Sequence, residues 1–161
     1  NNYGPFQYPE KLIPLAITNL IEGHAVPIHG EGRHARSWLH VEDFCRAIDL
    51  IAYESSAGRV YNVSGEEKTN MEVLHFLGNH LGKNIDEYRN HVNDRPAADL
   101  RYAPASDKLR KELGWTRHRI FENSIGEVVG WYMNNAEWWR NIRLKKGFIE
   151  HYERQSKGEW C

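Results

Sequence analysis

The chain has 161 residues and a formal net charge of −1, with acidic and basic residues interspersed. The length suits one domain with a buried core, and the charge balance argues against nucleic-acid binding, which needs a basic face to neutralise phosphates. Two cysteines cannot build a disulfide framework, no apolar run approaches the roughly 20 residues that span a bilayer, and no signal peptide is present, so a cytoplasmic protein without a membrane partner is expected.

In chain order, Pro9-Glu10 opens a helix running to about Glu22, with Leu12, Leu15, Ala16 and Leu20 on one face and Gly23 as its stop. Val26–His29 is a short strand, Gly30-Glu31-Gly32 a turn, and residues 37–41 a second strand after the basic cluster Arg33-His34-Ala35-Arg36. Glu42 to about Tyr53 is a helix burying Phe44, Ala47, Ile48 and Ile51. Cys45, in its apolar pattern, is expected to be a buried thiol, and Cys161, the last residue, an exposed one. Residues 60–63 read as a short apolar strand ending in Ser64-Gly65.

Thr69-Asn70-Met71-Glu72 has the Ser/Thr-x-x-Glu pattern of a capping box, followed by a stripe of Val73, Leu74, Leu77 and Leu81 and a stop at Gly82. Residues 88–92 form a weak strand that Asp94-Arg95-Pro96 breaks. Ser106 caps a short helix with Leu109 and Leu113 inward and Gly114 past its end. The longest helix is expected from Ile120 to about Ile142, with Ile125, Val128, Val129 and Tyr132 on one side. Beyond residue 142 the chain is charged and without a stripe, so residues 143–161 are expected to form a peripheral or frayed tail. Strands alternating with helices indicate an α/β fold.

Four places concentrate cationic and amide groups of the kind that hold phosphates and polar rings. Asn1 and Asn2 stand beside the rigid Gly4-Pro5 turn. Lys11, with Leu12 beside it, lies in the first turn of a helix, where free N–H groups favour an anion. Arg36 precedes a strand, and Arg95 sits in Asp94-Arg95-Pro96. Taken singly, such residues are usually solvated surface groups. His29, His34 and His40 with Cys45 match no zinc-site spacing, and no Gly-x-Ser-x-Gly elbow marks a hydrolase. No metal site is expected.

Order and spacing give these places context. Asn1-Asn2-Tyr3-Gly4-Pro5 through Glu10-Lys11-Leu12-Ile13-Pro14 resembles the opening of the substrate half in the dTDP-glucose 4,6-dehydratases, which are extended short-chain dehydrogenases. Pro27-Ile28-His29-Gly30-Glu31-Gly32 with Arg36-Ser37-Trp38-Leu39-His40-Val41-Glu42-Asp43 resembles a second block of that family. Tyr61-Asn62-Val63-Ser64-Gly65 with Thr69-Asn70-Met71-Glu72-Val73 resembles a third, and Asp94-Arg95-Pro96-Ala97-Ala98-Asp99 a fourth. Leu113-Gly114-Trp115, Trp131-Tyr132 and Trp138-Trp139 resemble the close. The likeness extends over roughly residues 1–140.

The resemblance implies an α/β fold that is the C-terminal substrate-binding portion of an extended short-chain dehydrogenase, with residues 60–63 a strand of an incomplete Rossmann-type sheet. It places a nucleotide-sugar-binding part at residues 1–142. It implies that Asn2 approaches the nicotinamide side of NAD and that Asn1, Lys11 and Leu12 meet a nucleotide sugar, dTDP-glucose or a relative. Pro27, Ile28 and His29 would lie against the base. Arg36 and Arg95 would clamp the diphosphate, with Asp94 and Ala98 in the same loop, and Asn70 would bond the nucleoside or its phosphates. The family's reaction is NAD-dependent loss of water, giving a 4-keto-6-deoxy sugar, in an enzyme expected to be a homodimer. The Gly-rich NAD turn and the Tyr-x-x-x-Lys pair it requires are not found in this sequence, so no catalytic residue is assigned and the isolated chain is expected to be inactive. The isolated strand edge at residues 60–63 is also expected to promote self-association. An epimerase or decarboxylase of the same superfamily, and a non-catalytic nucleotide-sugar-binding module, stay open as alternatives. Two departures from the family pattern stand out: His29 replaces a tyrosine, and Ala97-Ala98 replaces Gly-His.

Overall fold

The structure is a computed structural model and describes residues 1–159. Strands and helices are interspersed up to residue 102, and the last four elements are all helices. β1 (Asn2–Tyr3) leads to α1 (Leu12–Glu22), β2 (Val26–His29), β3 (Ala35–His40) and α2 (Val41–Glu54). β4 (Glu66–Thr69), α3 (Asn70–Leu81), the single turn α4 (Ile85–Tyr88) and β5 (Arg89–Val92) follow. Then come β6 (Arg101–Tyr102), α5 (Asp107–Leu113), α6 (Phe121–Asn134), α7 (Ala136–Arg143) and α8 (Lys146–Lys157).

Helix α1 has almost no wet face, since residues 13 to 20 are all buried. Such a helix must be wrapped by other elements. Helices α3 and α6 pack against it, so that Ile13, Ile17 and Leu20 share one core with Val73, Leu74, Leu77, Ile125, Val128, Val129 and Tyr132. The inward residues of α3 and α6 are those their periodicity indicates. The capping box also forms: Glu72 N donates to Thr69 Oγ1 at 3.2 Å, and Thr69 N donates to the Glu72 carboxylate at 2.6 Å.

Strand β3 organises the larger sheet. β1 pairs in parallel with its far end, Asn2 opposite Leu39, and β6 in parallel with its near end, Ala35 opposite Arg101. β4 runs antiparallel along it, from Thr69 opposite Ala35 to Glu66 opposite Trp38. Gly65 enters β4 so close to β3 that a Cβ would lie 1.7 Å from the Trp38 carbonyl oxygen; only glycine permits that approach. β2 and β5 form a separate parallel pair, Val26 opposite Arg89 through His29 opposite Val92. Helix α2 is tied in by the buried Asp43, whose carboxylate accepts from His118 N at 3.1 Å, Arg119 N at 2.8 Å and Arg46 at 2.6 Å.

Several expectations are corrected. Residues 60–63 form no strand, and Val60 is 78 % exposed. A strand needs a neighbour for its alternating N–H and C=O groups, and among the described residues none pairs there; the edge-pairing argument for self-association falls with it. β4 lies just beyond instead. α2 buries Asp43 and Ala47, while Ile48 is 52 % exposed and Cys45 is an exposed thiol. Cys161 lies outside the described residues. Ser106 makes no capping bond to its helix; its hydroxyl accepts from Ser64 at 3.0 Å. The helix expected from 120 to 142 is broken at Asn135, whose backbone (φ −118°, ψ 41°) leaves the helical region while its side-chain amide and its own N–H both donate to the Trp131 carbonyl. Most consequentially, residues 146–157 form α8 in place of a frayed tail. Two side chains seat it: Phe148 is buried, and the Tyr152 hydroxyl accepts from Asn19 at 3.0 Å. Among the described residues, no helix is long and apolar enough to cross a membrane, and no cluster of metal-ligating side chains occurs.

Candidate functional site

A cavity of about 440 Å³ opens where β1, the start of α1, β2, β3, the start of α3, the 93–100 loop and α8 converge. Its size falls within the usual range for small-molecule sites, about 300–1,000 Å³. β1 brings Asn1 and Asn2. α1 begins at Leu12, later than its sequence suggests, so Lys11 is the N-cap in extended conformation rather than a first-turn residue. The first-turn N–H groups have no intrahelical acceptors, a geometry that favours an anion.

Alternation along the strands decides which residues reach the cavity. In β2, Pro27 and His29 line it, while Ile28 between them turns into the core and is 2 % exposed. The expectation that Ile28 lies in the site is therefore corrected: its Cβ points to the opposite face of the strand. In β3, Arg36 and Trp38 share the cavity face. Asn70 reaches it from the first residue of α3, and Arg95 from the loop after β5.

Asp94 does not line this cavity. It positions its neighbour instead: its Oδ1 accepts from Arg95 N at 2.8 Å, and its Oδ2 lies 3.2 Å from Nε2 of the buried His34. Ala98 lines an adjoining cavity of about 450 Å³ with Pro96, Ala97, Asp99 and Tyr102. Asn1, Arg36 and Arg95 border both cavities, so the two guanidinium groups stand on the ridge between them.

The charge balance inside the cavity is uneven. Lys11 Nζ pairs with Glu10 at 2.5 Å, and the other Glu10 oxygen lies 3.7 Å from His151 Nε2. Arg36 donates to the neighbouring Ala35 carbonyl at 2.7 Å. Burial, and then the positive charge of Arg95, push the His29 imidazole below its ordinary value, so the ring is neutral near pH 7. A neutral imidazole beside a proline offers a flat, weakly polar wall. Gln7 Oε1 and Gln155 Oε1 are buried with no hydrogen-bond partner among the described residues.

Gln7, Glu10, Trp38, His151 and Gln155 line the cavity without having been singled out from the sequence. Trp38 was discoverable, because it stands two residues from Arg36 on a strand. His151 and Gln155 carried no signal, since α8 lacks an apolar stripe.

The 95–98 turn holds a strained residue. Ala97 has φ +55°, in the left-handed region that favours glycine. Ala97 is exposed, so its methyl group contributes little packing. Ala97→Gly is expected to raise stability by roughly 0.5–1 kcal/mol; a midpoint unchanged or lowered in urea unfolding would contradict that.

The model of the family described as GDP-mannose 4,6 dehydratase matches residues 1–128. Among curated relatives, a dTDP-glucose 4,6-dehydratase from Streptomyces niveus is 46% identical over 144 residues, covering 89% of this chain and 43% of that protein. One from Escherichia coli is 43% identical over 150 residues, covering 89% and 42%. Among solved structures, the Bacillus anthracis dTDP-glucose 4,6-dehydratase in complex with NAD superposes with a TM-score of 0.84 at 45% identity, covering 88% of this chain and 45% of that one. DesIV, the Streptomyces venezuelae dTDP-glucose 4,6-dehydratase with NAD and TYD bound, gives 0.85 at 40%, covering 88% and 44%. The chain spans less than half the length of these relatives.

Proposed function

The chain belongs to the GDP-mannose 4,6 dehydratase family, and from that premise we propose that it binds the nucleotide sugar for NAD-dependent dehydration of dTDP-glucose to dTDP-4-keto-6-deoxyglucose. The observation that carries this reading is convergence. Asn1, Lys11, Leu12, Pro27, His29, Arg36, Asn70 and Arg95 come from segments far apart in sequence and border one cavity.

The chemistry of the lining suits the parts of such a ligand. Arg36 and Arg95 offer forked donors that match phosphate oxygens, and the start of α1 adds backbone N–H groups nearby. Pro27 and the neutral His29 ring form a flat wall for a base. Asn70 and Asn1 are amides suited to hydroxyl and phosphate oxygens. Asp94 holds Arg95, and Ala98 borders the far side of the arginine ridge.

Toward NAD this chain offers Asn2, which lines the cavity and whose backbone carbonyl accepts from Gln7 at 2.8 Å. Bound NAD supplies a reversible hydride acceptor. The chain's own contribution is to hold the sugar nucleotide by its diphosphate and base, fixing where the hexose ring lies. We assign it no catalytic residue, expect no turnover from it alone, and place it in an assembly that is a homodimer.

The test is calorimetric titration of the chain with dTDP. Saturable one-site binding that weakens as salt is raised is expected. Absence of binding to a chain with a cooperative melt rejects the reading.

A further inference from the structure

We propose that Gln155 is a specificity-determining residue that reads the pyrimidine edge of the bound nucleotide, so that α8 serves as a wall of the binding site. The inference rests on the nucleotide-binding reading above and deepens it.

Gln155 lines the cavity. Its Oε1 is buried and finds no hydrogen-bond acceptor's partner, that is no N–H or O–H donor, among the described residues. A buried acceptor left in that condition costs on the order of 1–3 kcal/mol, which a ligand donor recovers. Its neighbour fixes where along the cavity it lies: His29 lines the same cavity, and the Gln155 backbone lies close enough to bear on the charge of its ring. His29 and Pro27 form the flat wall against which a base would rest, so the Gln155 amide stands at the base end.

The helix that carries it is held firmly. Phe148 is buried, and the Phe148 and Tyr152 rings stack with centroids 6.1 Å apart. Tyr152 accepts from Asn19 of α1, and His151 meets Glu10. An amide on such a support is ordered before ligand arrives, which lowers the entropy lost on binding.

A carboxamide presents one acceptor beside one donor. Thymine and uracil present the complement, a ring N3–H flanked by carbonyl oxygens. Gln155 Oε1 accepts from N3–H while Nε2 donates to a carbonyl. With the amide held in that orientation, cytosine, which has no proton on N3, leaves Oε1 at that position facing another acceptor. A site built to bond a donor rejects the analogue that lacks it.

The test compares dTDP, dCDP and inorganic pyrophosphate by calorimetric titration of the chain and of Gln155→Leu and Gln155→Glu. In the unaltered chain dTDP is expected to bind at least tenfold more tightly than dCDP, as one lost hydrogen bond to a buried group implies. Gln155→Leu should lose about tenfold in dTDP affinity and most of the preference, while pyrophosphate binding is unchanged. Gln155→Glu, which keeps the acceptor and the shape, should retain more of the preference than leucine does. Equal binding of dTDP and dCDP by the unaltered chain, or a preference that survives in Gln155→Leu, overturns the assignment while leaving diphosphate binding intact. Failure of the unaltered chain to bind dTDP overturns the underlying reading, and this one with it.

Discussion

Trp139→Ala is expected to lower stability by about 3–5 kcal/mol, the range for removing a fully buried aromatic side chain. The Trp139 ring is 0 % exposed and is among the largest buried side chains in the core. Truncation opens a cavity at the junction of α6 and α7, and it also strands a hydrogen bond. Trp139 Nε1 donates to the Tyr132 carbonyl at 2.8 Å, one of the C-terminal carbonyls that α6 would otherwise leave unmet. Arg140 and Arg143 lie over the ring at 5.0 Å and 5.9 Å, so their stems lose a packing surface as well. For a chain of this size the loss corresponds to a melting temperature lower by on the order of 10 °C. Trp139→Phe should lose less, because it keeps most of the volume and forfeits mainly the N–H. Thermal and urea unfolding check both; an alanine variant within about 1 kcal/mol of the parent would show that the core collapses around the gap.

The consequence reaches the site. Tyr132 donates its hydroxyl to the Gln7 carbonyl at 2.7 Å, and Gln7 in turn donates to the Asn2 carbonyl at 2.8 Å. Burial of the Tyr132 hydroxyl raises its pKa far above the ordinary phenol value, so it stays a donor throughout the neutral range. The core beneath α6 and α7 therefore supports the loop that places Asn1 and Asn2 at the cavity. Trp139→Ala is expected to weaken ligand binding indirectly, through that loop.

Periodicity made the helical layer legible. The stripes of α3 and α6 follow 3.6-residue spacing and are buried against α1, whose residues 13 to 20 are all buried, so pattern and structure agree. The sheet was less legible. β4 is Glu66-Glu67-Lys68-Thr69, a charged run with no strand signature; what makes it a strand is its antiparallel partner β3 and the close approach at Gly65. Residues 60–63 have the composition of a strand and lack the partner. Strand formation is settled by neighbours, which local sequence does not encode. The site divided the same way. Residues carrying charge or amide groups in recognisable blocks, such as Lys11, Arg36, Asn70 and Arg95, were identifiable and come together. Ile28 was misplaced because a motif says nothing of which strand face a residue occupies. His151 and Gln155 were missed because the anchors that seat α8, Phe148 and Tyr152, are too few to make a stripe.

The second large effect concerns the arginine ridge. The double variant Arg36→Ala, Arg95→Ala is expected to weaken dTDP binding by at least about 100-fold, since hydrogen bonds to charged groups contribute roughly 1.5–3 kcal/mol each. Both residues are held from behind. Arg36 lies where β3 is paired on both edges, opposite Lys68 of β4 and Tyr102 of β6, so its backbone cannot shift to follow a ligand. Arg95 leaves a turn pinned by Asp94, which bonds Arg95 N and meets His34. Preorganised forks of this kind lose little entropy on meeting phosphate oxygens. The single variants should each lose part of the affinity, and their effects should not add, because both guanidinium groups border the same two cavities and share one ligand group. Arg-to-Lys replacements should recover charge without the forked geometry, and so only part of the affinity. Neither alanine substitution removes a core contact, since Arg95 is exposed and Arg36 half-buried; the melting temperature should stay within a few degrees while affinity falls. That separation of binding from stability distinguishes a phosphate clamp from a structural ion-pair network. Full retention of dTDP affinity in the double variant would move the diphosphate away from the ridge, leaving Lys11 and the start of α1 as the anion site.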